Sequence, residues 1–304
     1  MIQVNKKPEW IRYKTPGGPG YLNVKKCVNE LNLHTICVEA KCPNAGDCFS
    51  QNTATFLILG NICTRNCLYC AVDKSIPLKP DPTEPERVAE AVFRLGLKYA
   101  VITSVTRDDL EDGGASYFAE TTRMIKERVP ECKVEILVPD FKNNVIDGLS
   151  VIGESFKSEW SSLHHNSTLH TPHSTLKKPD ILNHNIETVK EFFPKLRPKG
   201  DYFASLDLIK KAAGLGFIVK SGLMIGFGET MDDITDTMRD LFNSGCSILT
   251  VGQYLSPSRD HYRVEKYYHP DEFEDIRVIG EKIGFKKVLS GPHVRSSYHA
   301  GMIS

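Results

Sequence analysis

The sequence predicts an α/β fold: six βα units in a row, wound as a partial or full parallel β/α barrel, in the simplest count a partial (β/α)6 barrel. Three observations predict it. Short apolar runs alternate with helically spaced segments between residues 55 and 255. Several of these runs are apolar without strict alternation, as parallel strands buried on both faces are. The segments that follow them are polar and rich in glycine, as the C-terminal face of a barrel is. A doubly wound open sheet has the same periodicity, and the pattern alone does not separate the two.

The strand candidates, in order, are TFLILG (55–60), YAVITSV (99–105), KVEILVP (133–139), ILNHNIE (181–187), IVKSGLMIGFG (218–228) and ILTVGQYL (248–255). Between them, Val88, Ala91, Val92 and Leu95 fall on one helical stripe. Tyr202, Leu206, Ile209 and Ala213 form a second, and Ile234, Met238, Leu241 and Phe242 a third. Gly96, Gly214, Gly216 and Gly245 stand where helices would end. Three stretches follow strands at the expected active face: GNICTRNCLYC, TRDDLEDGG and GFGETMDD. The organisation read from this is an N-terminal extension (1–52), a barrel core (53–256) and a C-terminal extension (257–304). One segment breaks the pattern. Residues 154–180 hold six Ser, three Thr and four His and show no period, so they read as a polar surface insertion. His164, His165, His170 and His173 are a weaker metal-site candidate within it.

Composition narrows the class. Across 304 residues, Lys plus Arg and Asp plus Glu are 38 each, so no basic surplus points to nucleic acid. No apolar run approaches a membrane span. The first ten residues lack the apolar core of a signal peptide, so a cytoplasmic location is expected.

The nine cysteines are the informative feature. Six fall between Cys37 and Cys70, and a reducing compartment makes a disulfide framework the lesser reading. They form two groups, Cys37-x4-Cys42-x5-Cys48 and Cys63-x3-Cys67-x2-Cys70. Neither has the paired C-x2-C form common in zinc sites. Three thiolates on a [4Fe–4S] cluster leave one iron open. An open iron can hold the amino and carboxylate groups of S-adenosylmethionine (SAM), and Tyr69 places an aromatic ring beside it. Cys27, Cys132 and Cys246 are scattered and read as small buried hydrophobes.

CTRNCLYC (63–70) resembles the CxxxCxΦC loop of radical-SAM enzymes, and CVEAKCPNAGDCF (37–49) is similar to the second-cluster motif of the lipoyl synthase family. TATFLILGNICTRNCLYCAV, VITSVTRDDLEDGGA, VEILVPDF, NHNIETV, KSGLMIGFGET, LTVGQYLSPSR and GPHVRSSYHA resemble that family's stretches, in its order, from Pro8 to Ala300. The insertion is the one large unmatched piece. The resemblance implies a partial barrel of radical-SAM type whose mouth is capped by both extensions. It implies two [4Fe–4S] clusters and SAM as cofactors. Cys63, Cys67 and Cys70 would hold the SAM-binding cluster. Cys37, Cys42, Cys48 and Ser296 would hold an auxiliary cluster that is consumed as sulfur donor. The residues themselves do not choose between Ser296 and Ser297; the family pattern favours Ser296. A serine oxygen is a harder ligand than a thiolate and could detach to open that corner.

The implied reaction is radical insertion of two sulfur atoms at C6 and C8 of an octanoyl chain. The chain is carried on lipoyl domains of 2-oxoacid dehydrogenase E2 subunits or of the glycine-cleavage H protein. The implied partners are those domains, a flavodoxin or ferredoxin reductant and an iron–sulfur carrier, with no nucleic acid and no membrane. Further SAM contacts are expected at Tyr69, at Thr103 and Ser104 on the second strand, at Asn185 and Glu187 on the fourth, and at Gly226 and Glu229 after the fifth. Arg107, Asp108, Asp109 and Asp112 read equally as a polar wall or as an acidic helix start. Lys195, Arg197 and Lys199 read as a solvated basic run. A radical-SAM methylthiotransferase would carry a basic surplus and an added RNA-binding domain. A biotin-synthase-like enzyme would lack the first cysteine group and RSSY. A non-enzymatic iron–sulfur electron carrier would bind clusters without cleaving SAM.

Overall fold

The computed structural model describes residues 7–12, 17–51, 53–141, 145–153 and 178–298. The four histidines of the insertion lie outside the described residues. Eight strands form one sheet: β1 (His34–Thr35), β2 (Thr55–Ile58), β3 (Tyr99–Ser104), β4 (Lys133–Leu137), β5 (Ile181–Asn183), β6 (Val219–Ile225), β7 (Ile248–Gln253) and β8 (Lys287–Gly291). They lie side by side in chain order. β1 is antiparallel to β2, and every later pairing is parallel. A doubly wound sheet reverses its strand order partway. This order never reverses, and among the described residues no pairing joins the first and last strands. The sheet is therefore a partial barrel, which resolves the alternative that periodicity left open.

Helices cover its outside. α1 (Pro19–Glu30), α2 (Ile36–Glu39) and α3 (Ala45–Ser50) precede the barrel proper. α4 (Glu84–Arg94), α5 (Ala115–Arg128), α6 (Val145–Gly153), the short α7 (Phe193–Leu196), α8 (Tyr202–Gly214), α9 (Met231–Asn243) and α10 (Pro270–Ile283) follow strands. The apolar stripes behave as the spacing requires. Val88, Ala91 and Val92 of α4 and Ile234, Met238 and Leu241 of α9 are fully buried. Each large aliphatic among them contributes about 2 kcal/mol. Phe242 instead lies at the edge of its stripe, edge-on to Phe285 at 5.5 Å. α9 starts on a reciprocal cap, with Thr230 Oγ1 accepting from Asp233 N–H and the Asp233 carboxylate from Thr230 N–H. Gly96, Gly216 and Gly245 do end helices with φ of 62°, 78° and 90°, whereas Gly214 is still helical.

The structure departs from the sequence reading at three places. β8 adds a seventh parallel strand, from the stretch expected as a C-terminal extension. Of its residues only Val288 is buried, so it carries no apolar run to detect. β1 has two residues, too few for any period. The fourth strand is short: after Asn183 the chain bulges, and Glu187 rejoins beside Leu223. Glu187 takes a left-handed φ of 70° to do so. Both its backbone groups are satisfied, N–H to Gly222 O at 2.9 Å and C=O from Met224 N at 2.9 Å, which holds the strained turn.

Below the barrel mouth sits a buried ion pair. Lys220 on β6 and Glu135 on β4 both have fully buried side chains, with Lys220 Nζ 2.9 and 3.0 Å from the two carboxylate oxygens. Asn183 Nδ2 donates to Glu135 at 2.9 Å and Tyr99 Oη at 2.6 Å. Breaking one half of such a pair strands a charge, whereas neutralising both does not. Lys220→Met should lower stability by roughly 3–5 kcal/mol. Lys220→Met/Glu135→Gln should recover most of that loss. Urea unfolding of the cluster-free protein measures both.

Candidate active site

The second cysteine group leaves β2 through Leu59 and Gly60, at φ 67° and 82°. Leu59 N–H is fixed by the buried Glu84 carboxylate at 2.6 Å. The loop is closed at its base, where Cys63 N–H donates to Asp73 O at 2.8 Å. Its flanks bind neighbouring loops: Thr64 N–H to Thr106 O at 3.0 Å, Leu68 N–H to Leu196 O at 2.9 Å, and Tyr262 N–H to Leu68 O at 3.0 Å. A loop tied at this many points presents its thiols in fixed directions.

Arg65, between the first two cysteines of this loop, turns inward and is buried. It forms a two-pronged pair with Asp108 at 2.9 and 3.0 Å and also contacts Asp140. Arg197 reaches the other Asp140 oxygen at 2.7 Å. Burial alone would raise the Asp140 carboxyl, but Arg197, His184 and Arg65 outweigh it and hold it at about 2. This network ties the cysteine loop to the loops after β3, β4 and β5. Arg197 is thus a buried structural cation, not part of a solvated run. Of the charged residues Arg107, Asp108, Asp109 and Asp112, Asp108 is the one whose side chain pairs with the cysteine loop. Arg107 pairs with Asp109 at 2.8 Å and donates to Leu59 O and Leu78 O, while Asp112 accepts from Gly114 and Ser116 N–H at the start of α5.

The first cysteine group follows β1, which pairs antiparallel with β2 (His34 opposite Leu57, Thr35 opposite Phe56), and it meets the second group through Cys42, which shares a cavity with Cys63, Cys67 and Cys70. Cys37 lies on α2 and Cys48 on α3, and Cys42 N–H donates to Cys37 O at 3.0 Å. The C-terminal segment packs against this group. Asn44 Nδ2 donates to His293 O at 2.7 Å and Tyr298 Oη to Asp47 at 3.0 Å. His293 also meets Trp10 O at 3.0 Å.

All these elements surround one cavity of about 330 Å³. Cys63, Cys67, Cys70, Tyr69 and Cys42 line it, as do Thr103, Ser104, Asn185, Glu187 and Ser296. Cys37 and Cys48 stand behind Cys42 and do not line it. Gly226 and Glu229 are also outside the lining: the Glu229 carboxylate accepts from Gly226 and Phe227 N–H at 2.6 and 2.9 Å and closes its own loop. Asp140, His184 and Arg197 line the cavity although sequence patterning did not single out the first two. Asp140 ends VEILVPD, after a barrel strand, which was the available signal. Ser104 Oγ and His184 Nε2 are buried with no partner in the protein, so each can serve a bound group.

The thiols fit a soft metal cluster. Burial pushes Cys37 and Cys70 up to about 12 and raises Cys48 and Cys67; repulsion from neighbouring thiols adds to it, behind Glu187 at Cys67. Members of each set therefore act on one another as close neighbours. Among the described residues no three ligand side chains converge on a point, as one metal ion would require. Thiolates on separate irons of a cubane sit farther apart. Arg65 N–H already donates to Cys63 Sγ at 3.4 Å, the kind of contact that tunes a cluster sulfur ligand.

Ser296 stands at the junction. Its hydroxyl donates to Asn185 Oδ1 at 2.8 Å, and Asn185 Nδ2 donates to Glu187 at 3.2 Å. The segment reaches this depth because the strands beneath it are bare. A Cβ on Gly222 would lie 2.5 Å from Ser296 Oγ, and one on Gly252 would lie 2.0 Å from Val294 O.

Asp140→Asn would leave Arg65 hydrogen-bonded to Asp108 and Arg197 with no carboxylate closer than the facing Glu187. We expect it to lower stability by roughly 3 kcal/mol near neutral pH. A carboxyl held low stabilises the fold fully above its ordinary pKa near 4. The gap between wild type and Asp140→Asn should therefore close as pH falls from about 4 to about 2. Urea unfolding across that range reads it.

Comparison with known proteins follows the same lines. The radical SAM superfamily model matches residues 57–241, and the N-terminal domain of lipoyl synthase matches residues 2–42. Lipoyl synthase of Rubrobacter xylanophilus is 46% identical over 296 residues, covering 97% of this chain and 85% of the relative. Lipoyl synthase of Caldicellulosiruptor saccharolyticus is 45% identical, covering 99% and 98%. Among solved structures, methylornithine synthase aligns with a TM-score of 0.51 at 13% identity, covering 93% of this chain and 88% of that one. The [FeFe]-hydrogenase maturase HydG aligns at 0.53 and 13% identity, covering 89% and 64%. These two share the fold alone; the near-complete sequence matches go further, and the chain belongs to the lipoyl synthase family of the radical SAM superfamily.

Proposed function

We propose that this one cavity joins a SAM-binding cluster on Cys63, Cys67 and Cys70 to an auxiliary cluster on Cys37, Cys42, Cys48 and Ser296. Family membership gives the reaction: insertion of two sulfur atoms at C6 and C8 of an octanoyl group on a lipoyl domain. When bound, SAM and its cluster supply a 5′-deoxyadenosyl radical, and the auxiliary cluster supplies sulfur. The observation that supports the residue assignment is that Cys42 of the first set, all three cysteines of the second and Ser296 line the same cavity, with Cys37 and Cys48 on the helices to either side of Cys42. The chain's own residues position and dry that space. The Arg65–Asp140–Arg197 network fixes the cysteine loop. Glu187 and Ser104 offer polar atoms to the amino acid or ribose of SAM, whereas both polar atoms of Asn185 are engaged by Ser296 and Glu187. Val72, Val105, Leu137 and Leu223 keep the remaining wall apolar, which suits an octanoyl chain and withholds water from a radical.

Within the two extensions, residues 36–51 and 292–298 act in this reading as caps on the mouth. The hydrogen bonds from Asn44 to His293 and from Tyr298 to Asp47 support that role. The carriers are lipoyl domains of E2 subunits and the glycine-cleavage H protein. A flavodoxin or ferredoxin supplies electrons, and an iron–sulfur carrier rebuilds the spent cluster. The site is cytoplasmic in this reading; among the described residues no helix is long and apolar enough to cross a membrane.

The test is an anaerobic assay of reconstituted protein with SAM, dithionite and an octanoylated lipoyl-domain peptide, read by mass spectrometry. Wild type should add two sulfurs and release deoxyadenosine. Cys63→Ala should do neither, and Ser296→Ala should cleave SAM while losing most sulfur insertion. Deoxyadenosine without sulfur in the wild type would point to another radical-SAM reaction. No SAM cleavage despite about eight irons per chain would favour an electron carrier.

A further inference from the structure

We propose that Lys220 and Asn185 clamp Ser296 at two points and so aim it, rather than Ser297, at the auxiliary cluster. The inference rests on the assignment of Ser296 as that cluster's oxygen ligand and adds what positions it. Sequence chemistry leaves the two serines equivalent, and both line the cavity. Their surroundings differ.

The first point of the clamp is the backbone. A lysine ammonium has three donors. Two of Lys220's reach the oxygens of Glu135 at 2.9 and 3.0 Å. The third reaches the Ser296 carbonyl. The carboxylate is itself held by Asn183 and Tyr99, so strands β3, β4, β5 and β6 together set the height of that ammonium. The ion pair thus does more than neutralise a buried lysine. It places a rigid donor under one peptide carbonyl of the C-terminal segment.

The second point is the side chain. Asn185 stands on the bulge between β5 and Glu187. Its Nδ2 faces the Glu187 carboxylate, which can only accept. Oδ1 is left to accept from Ser296 Oγ at 2.8 Å, which seats the hydroxyl before ligation; an oxygen that binds iron as the alkoxide gives up its proton to water and this bond with it, while the Lys220 contact to the carbonyl persists. Gly222 makes the arrangement possible. A Cβ there would lie 2.5 Å from Ser296 Oγ and 2.6 Å from Asn185 Oδ1. Lys220, Asn185 and Gly222 are positioning residues, since each acts through Ser296.

The test isolates the auxiliary cluster. In a Cys63→Ala/Cys67→Ala/Cys70→Ala background, the reconstituted full-length chain should carry about four irons and one reduced-cluster electron paramagnetic resonance spectrum. Ser296→Ala should change that spectrum, and Ser297→Ala should not. Asn185→Leu and Lys220→Met/Glu135→Gln, each added separately, should both convert it to the Ser296→Ala spectrum at unchanged iron content. The neutral double substitution avoids a stranded charge, and Asn185→Leu reads the side-chain point of the clamp separately from the carbonyl point; loss of iron in both variants while Ser296→Ala stays loaded also overturns the clamp. Retention of the parent spectrum in the iron-loaded clamp variants, with Ser296→Ala altered, overturns the clamp alone. An unaltered spectrum in Ser296→Ala overturns the ligand assignment and the clamp with it.

Discussion

The C-terminal segment can enter the barrel only where the strands beneath it carry no side chains. Gly222 on β6 and Gly252 on β7 supply that space, and Val294 O and Ser296 Oγ fill it. Any side chain at Gly252 would meet backbone, not a flexible tip, so the segment would have to lift. Much else follows from this close approach. With the segment seated, its far end can reach Asp47 and its carbonyls can meet Asn44 and Lys220. The mouth is then bordered by residues from both extensions, Cys42 and Pro43 on one side and Val294 to Ser297 on the other.

β2 is the second organising element. It is buried on both faces, and one cysteine group follows its neighbour β1 while the other follows its own C-terminal end. β1, running antiparallel, leads straight into the helix that bears Cys37. The strand's own C-terminal end leads into the loop that bears Cys63, Cys67 and Cys70. Two sets of soft ligands separated by only fifteen residues are thereby placed on adjoining walls. The buried Arg65 network then locks the loop to three further strand ends. Such buried charges are poor sources of net stability but good sources of a fixed arrangement, provided every partner is present.

The cysteine groups, the parallel strands and the polar loops after them were legible because each has a strong local signature. Spacing sets the cluster loop, and unbroken apolar runs set the doubly buried strands. What was not legible depends on tertiary packing. β8 is half-exposed, and β1 is two residues long. Arg197 lies in a run with two lysines that looks solvated, yet only its own side chain turns to Asp140. Glu229 sits in a glycine-rich loop that resembles a cofactor cradle, yet its carboxylate is spent on the backbone beside it. The contacts of Ser296 with Lys220 and Asn185, 76 and 111 residues away in sequence, leave no local signal either.

The central claim is that sulfur leaves the Cys37, Cys42, Cys48 and Ser296 site and enters a substrate held in the shared cavity. The most direct measurement is a single-turnover experiment on protein whose clusters were rebuilt with sulfur-34 sulfide, with natural-abundance sulfur in all other components. The account predicts that both sulfurs in the product are heavy, and that sulfur insertion ends when the auxiliary cluster is spent. It also predicts that Cys37→Ala/Cys42→Ala/Cys48→Ala cleaves SAM but inserts no sulfur. Light sulfur in the product, or heavy sulfur inserted by that triple variant, would contradict it.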